Sequence, residues 1–127
     1  SELSSTRWSQ MLTNSCMHME NDWLLIVRLK GFVFFASAQS LVAQLREVME
    51  SEAKLPDHQR LRFIVFDCKL MDGMDASTAK TLRKFKGDAQ KLKISLLWTG
   101  VDDTLQKRLK QQELADGERE TYGELDQ

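Results

Sequence analysis

Phe63-Ile64-Val65-Phe66 is the stretch that most restricts what this chain can fold into. Four consecutive aromatic or branched apolar residues with no polar interruption are the pattern of a central strand buried on both faces, and Asp67 follows at its carboxyl end. Ile94–Trp98 predicts a further strand. The apolar run Trp23–Leu29, reached from the weakly alternating Ser15–Glu20 through an Asn21-Asp22 turn, predicts with it a β-hairpin.

Between these runs the period changes from two to about 3.6. Gly31 breaks the first strand, and Phe32–Phe35 lead into a helix that Ser37 or Ser40 would cap and whose Leu41, Leu45, Val48 and Met49 share one face. Pro56 and its charged neighbours, Ser51 to Arg60, read as a surface loop. Asp72-Gly73-Met74-Asp75 reads as a turn, after which Ala79, Leu82 and Phe85 mark a second helix that Gly87 would end. Asp102 or Asp103 caps a third, with Leu105 and Leu109 facing inward.

Alternating strands and helices imply right-handed crossovers. The expected fold class is α/β, with a single mixed, mostly parallel sheet of about four strands and three to four helices. Leu45, Ile64, Val65, Leu82 and Leu96 are expected to share one core. The expected division is an N-terminal flank over 1–14, the domain over 15–114, and an acidic, flexible tail over 115–127 that is almost free of bulky apolar groups. The chain begins with Ser and carries no basic-then-apolar leader, so it is expected to be an excised part of a longer protein.

Composition narrows the function classes. A net charge of -1 gives no general cationic field, which argues against nucleic acid as a partner. Cys16 and Cys68, far apart and outside C-x-x-C spacing, signal neither a disulfide framework nor a zinc site. No apolar run approaches the roughly 20 residues of a transmembrane helix. His18 and His58 have no companions that would make a nucleophilic triad, and the glycines form no phosphate-binding loop. No enzyme activity and no cofactor are expected.

Three stretches, in this order, resemble the STAS family, the domain shared by SulP-type sulphate and anion transporters and bacterial anti-sigma factor antagonists. Val27–Gly31 followed by Phe34-Phe35-Ala36-Ser37-Ala38 is similar to the strand and "LFFANA" helix start of transporter-linked members. Phe63–Asp67 with Met71–Ala79 is similar to the strand and D-S-S-G segment, and Ile94–Val101 to the closing strand. Thr78 stands where the family has glycine and Ala76 where it has the first serine.

The resemblance implies a non-catalytic cytosolic regulatory domain of a SulP-type transporter, whose partners are the parent's transmembrane region or other cytosolic regulatory proteins. The alternatives are a free anti-sigma factor antagonist and a small nucleotide- or anion-binding module. Ser77 matches the serine that is phosphorylated in the antagonists, although an ordinary helix start also accounts for Ser77 and Thr78. Asp67, Asp72 and Asp75, with Gly73 and Met74, form a candidate ligand surface at strand ends, although caps and turns are the leading account of the acids. Lys80, Arg83 and Lys84, within a basic run that includes Lys86, Lys91 and Lys93, are either a solvated helix face or a contact for an acidic partner or anionic leaflet.

Overall fold

The computed structural model describes residues 10–12, 15–115 and 121–122. Its elements run β1 (Gln10–Leu12), β2 (Ser15–Asn21), β3 (Leu24–Val33), α1 (Phe35–Glu52), a 3-10 turn (Asp57–Gln59), β4 (Phe63–Met74), α2 (Ala76–Lys91), β5 (Ser95–Thr99), α3 (Asp103–Gln111) and β6 (Thr121–Tyr122). The strands lie in one sheet in chain order. β1, β2 and β3 pair antiparallel, and β3 through β6 pair parallel. The mixed, mostly parallel α/β architecture is the expected one, and β2–β5 are its four expected strands. Two short edge strands are added, and β6 falls in the stretch that sequence reads as tail. The remaining flank and tail residues, 1–9, 13–14, 116–120 and 123–127, lie outside the described residues.

Right-handed crossovers between strands taken in order put α1, α2 and α3 on the same face of the sheet. Side-chain alternation then divides each strand. Leu25, Val27 and Leu29 of β3, Ile64, Phe66 and Cys68 of β4, and Leu96 and Trp98 of β5 join Leu41, Leu45, Val48, Leu82, Phe85 and Leu109 of the helices in one core. Phe66 and Trp98 stack at 4.6 Å. Arg46 of α1 fastens the helix layer by pairing with Asp88 of α2 and lying over the Phe85 ring. Val65 is buried but is not in that core: with Ile26 it points to the opposite face, on which no described helix lies.

Four local readings are corrected. Gly31 does not end β3, which runs to Val33. Asp72-Gly73 is no turn. β4 continues through both residues, two bulges giving it 12 residues against the 10 of β3, so that Phe32 pairs with Gly73 and Val33 with Met74. The Phe32 ring covers the bare Gly73, 3.4 Å from where a Cβ would sit. Gly87 lies inside α2, whose packing carries the helix on to Lys91. Neither Ser37 nor Ser40 caps α1, because Phe34 occupies that position without a side-chain bond.

Gly100 is required where it stands. Its φ is +67, and a Cβ would lie 2.7 Å from the Lys69 backbone nitrogen, so the loop leaving β5 can press against β4 only at a glycine.

Candidate interaction surface at the helix starts

Asp75 does what its position before a helix suggests and one thing more. Its Oδ1 accepts the Thr78 N–H at 2.8 Å, capping α2, and its Oδ2 accepts the Phe35 N–H at 3.3 Å, supplying from another element the cap that α1 lacks. Donors from Thr78, and then the Phe35 N–H, hold the Asp75 carboxyl below the usual carboxylate range. Thr78 is fully buried and also donates its hydroxyl to the Val33 carbonyl oxygen at 3.1 Å, tying the first turn of α2 to the end of β3. Thr78 is therefore part of the scaffold and not of the surface. Gly73 and Met74 are buried as well, because β4 is still in the sheet where sequence reads an exposed turn.

Above this interlocked base Ser77 is exposed in the first turn of α2. It lines an open groove of about 550 Å³ with Phe35, Lys80, Thr81, Arg83 and Lys84. Lys80 and Lys84 point to solvent, whereas Arg83 is half-buried and donates to the Gln112 carbonyl oxygen at 3.1 Å. Lys86, read as part of the same basic face, is buried. Phe34 and Phe35, 58% and 39% exposed, with Thr81, stand on this surface beyond the residues that sequence singles out. Two adjacent aromatics at the last residues before a helix could have signalled it, since an amphipathic helix has no inward position for both.

The three acids do not converge. Asp67 lies within β4 and not at its end, on the face away from the helices, where its buried carboxylate meets Arg28 Nε at 3.4 Å and accepts the Lys69 N–H at 3.1 Å. Asp72 is exposed in the second bulge, and Asp75 serves the helix starts. Among the described residues no group of three His, Cys, Asp or Glu side chains is arranged to hold a metal ion. Nor is any described helix long and apolar enough to cross a membrane.

The STAS domain family model matches residues 17–127. No curated protein sequence matches the chain. Among solved structures the chain is similar to a sulfate transporter family protein from Wolinella succinogenes (20% identity, TM-score 0.62, covering 81% of this chain and 79% of that one). It is similar to the SulP transporter STAS domain from Vibrio cholerae (17%, 0.61, 85% and 78%). It also resembles the Bacillus cell fate determinant SpoIIAA in its phosphorylated form (11%, 0.65, 84% and 87%).

Proposed function

This chain belongs to the STAS domain family, and on that premise we propose that it is a non-catalytic regulatory and protein-interaction domain on the cytosolic side of a SulP-type anion transporter. The observation that carries the reading is the contrast at the helix starts. Asp75 and Thr78 are locked into the fold, while Ser77, Phe35, Lys80 and Lys84 beside them are presented outward. A rigid base under an exposed aromatic and basic rim is suited to docking.

Phosphorylation at Ser77 would control that docking. A phosphate in the first turn is favoured by the α2 N-terminus and by Lys80 and Lys84, so it would be held without unfolding the helix while cancelling most of the positive charge of the rim. Pull-down against the membrane region of the parent transporter tests this. Ser77→Asp is expected to leave the melting temperature within a few degrees and to weaken binding about 10- to 100-fold, with Ser77→Ala binding as wild type does. If Ser77→Asp binds normally and Lys84→Glu does not, the basic face is the contact and the Ser77 switch is wrong. A free anti-sigma factor antagonist is the second reading, favoured by the likeness to phosphorylated SpoIIAA and by the accessible Ser77 hydroxyl. Capture by a kinase-like anti-sigma factor instead of the transporter region would select it.

A further inference from the structure

At the opposite end of the sheet, where the parallel strands begin, a cleft of about 270 Å³ opens between the end of α1, the 3-10 turn and the end of α2. Two short basic segments face each other across it. Arg60 and Arg62 flank the buried Leu61 on the way into β4, and Lys91 and Lys93 flank Leu92 on the way into β5. The Arg62 carbonyl oxygen accepts the Ser95 N–H at 2.9 Å, holding the two segments together. The arginines are oriented before any ligand arrives. Arg60 Nε donates to the Leu55 carbonyl oxygen at 2.7 Å and its Nη1 pairs with Asp57 Oδ1, while Arg62 Nη2 donates to the Asp57 carbonyl oxygen at 3.1 Å, leaving Nη2 of Arg60 and Nε and Nη1 of Arg62 available.

Four cations share this lining with two acids, Asp57 and Glu52, in a chain whose net charge is -1. Asp57 is engaged by Arg60 at 3.2 Å. Glu52 is buried, and burial, then the nearby Asp22 carboxylate, pushes its carboxyl above the usual range. Among the described residues Lys91 and Lys93 have no carboxylate at ion-pair distance. The cleft is smaller than a drug-sized site, and its lining has no aromatic ring on which a base could stack.

We propose that this cleft binds a multiply charged phosphate group, its oxygens taken by the open side of the Arg62 fork and by Arg60 Nη2 and its remaining charge met by Lys91 and Lys93. The site is separate from the Ser77 surface and does not depend on the transporter reading. A soluble phosphate compound and a phosphorylated lipid headgroup both offer this chemistry. Titration calorimetry of the whole chain with pyrophosphate, beside sedimentation with vesicles of phosphatidylcholine with and without phosphatidylinositol bisphosphate, distinguishes the two sources.

Saturable binding in at least one arm is expected, and Arg62→Gln should weaken it about tenfold or more. Lys93→Gly separates lost charge from lost folding. Lys93 holds a left-handed φ of 62°, which glycine adopts freely, so this variant should bind more weakly with a melting temperature no lower than wild type. Lys84→Gln, outside the cleft, should change affinity less than twofold. Binding to vesicles alone assigns the headgroup as the ligand, and binding to pyrophosphate alone assigns a soluble phosphate. No binding in either arm, or binding that Lys84→Gln weakens as much as Arg62→Gln does, overturns the proposal. Neither outcome bears on docking at Ser77, which lies at the other end of the strands.

Discussion

Ile64 and Val65 are neighbours in β4, almost equally shut off from solvent at 0% and 5% exposure, and they belong to different environments. Ile64 lies in the layer between sheet and helices with Phe66, Leu45 and Leu82. Val65 stands on the other face between Ile26 and the half-buried Leu97 of the flanking strands, and outside the main core. Burial between two layers is closed on every side, so a deleted group leaves a cavity that the surroundings cannot fill. Burial on a face that no described helix covers leaves more room to relax. Ile64→Ala should therefore cost about 3–4 kcal/mol and Val65→Ala about 1–2 kcal/mol in denaturant unfolding. Equal costs would show that the second face is as tightly covered as the first.

That difference also marks how far the sequence could be read. An uninterrupted apolar run identifies a strand without an exposed side, which Phe63–Phe66 is, but periodicity carries no information on what covers each side. Sequence alone therefore places Val65 in the main core, and the structure places it on the other face. Helix faces were legible, since Leu41, Leu45 and Leu82 recur at helical spacing and are all buried. So were the Asp75 and Asp102 caps, whose chemistry is local. Asp72-Gly73 was misread because Asp-Gly is a turn signal only when nothing competes for the backbone, and here pairing with β3 does. Asp75 bonding to Phe35, 40 residues away, had no sequence signal at all.

Asp67 extends the comparison from apolar to charged residues. It follows Phe66 in β4 and faces away from the helices, with its side chain 5% exposed and Arg28 directly across in the register of β3. A carboxylate this buried is tolerable because Arg28 and the Lys69 N–H compensate it. Removing Arg28, itself half exposed, should cost about 1–2 kcal/mol, since water can only partly replace the guanidinium. Asp67→Asn, which keeps an acceptor for the Lys69 N–H and removes the charge, should cost less. If Arg28→Ala is neutral while Asp67→Asn destabilises, the carboxylate is compensated without the guanidinium and the pair contributes nothing.

The two cysteines give the comparison its finest test, because each reports one face. Cys68 points into the core, donates its thiol to the Phe66 carbonyl oxygen at 3.7 Å, and is pushed up to about 12 from an ordinary 9.0 by burial and, secondarily, by the adjacent Asp67 carboxylate. Cys16 is half-buried on β2 opposite Arg28. Under native conditions iodoacetamide should modify Cys16, and Cys68 only through unfolding. The raised value also fixes a sign. The unfolded chain releases the Cys68 proton above pH 9 and the folded chain does not, so this group's contribution is intact below pH 9 and is lost as pH rises toward 12. Between pH 9 and 10 the wild type should lose about 1 kcal/mol more stability than Cys68→Val, in which nothing at this position titrates. Equal slopes, together with modification of Cys68 at the rate of Cys16, would mean that solvent reaches the helix-covered face as readily as the opposite one.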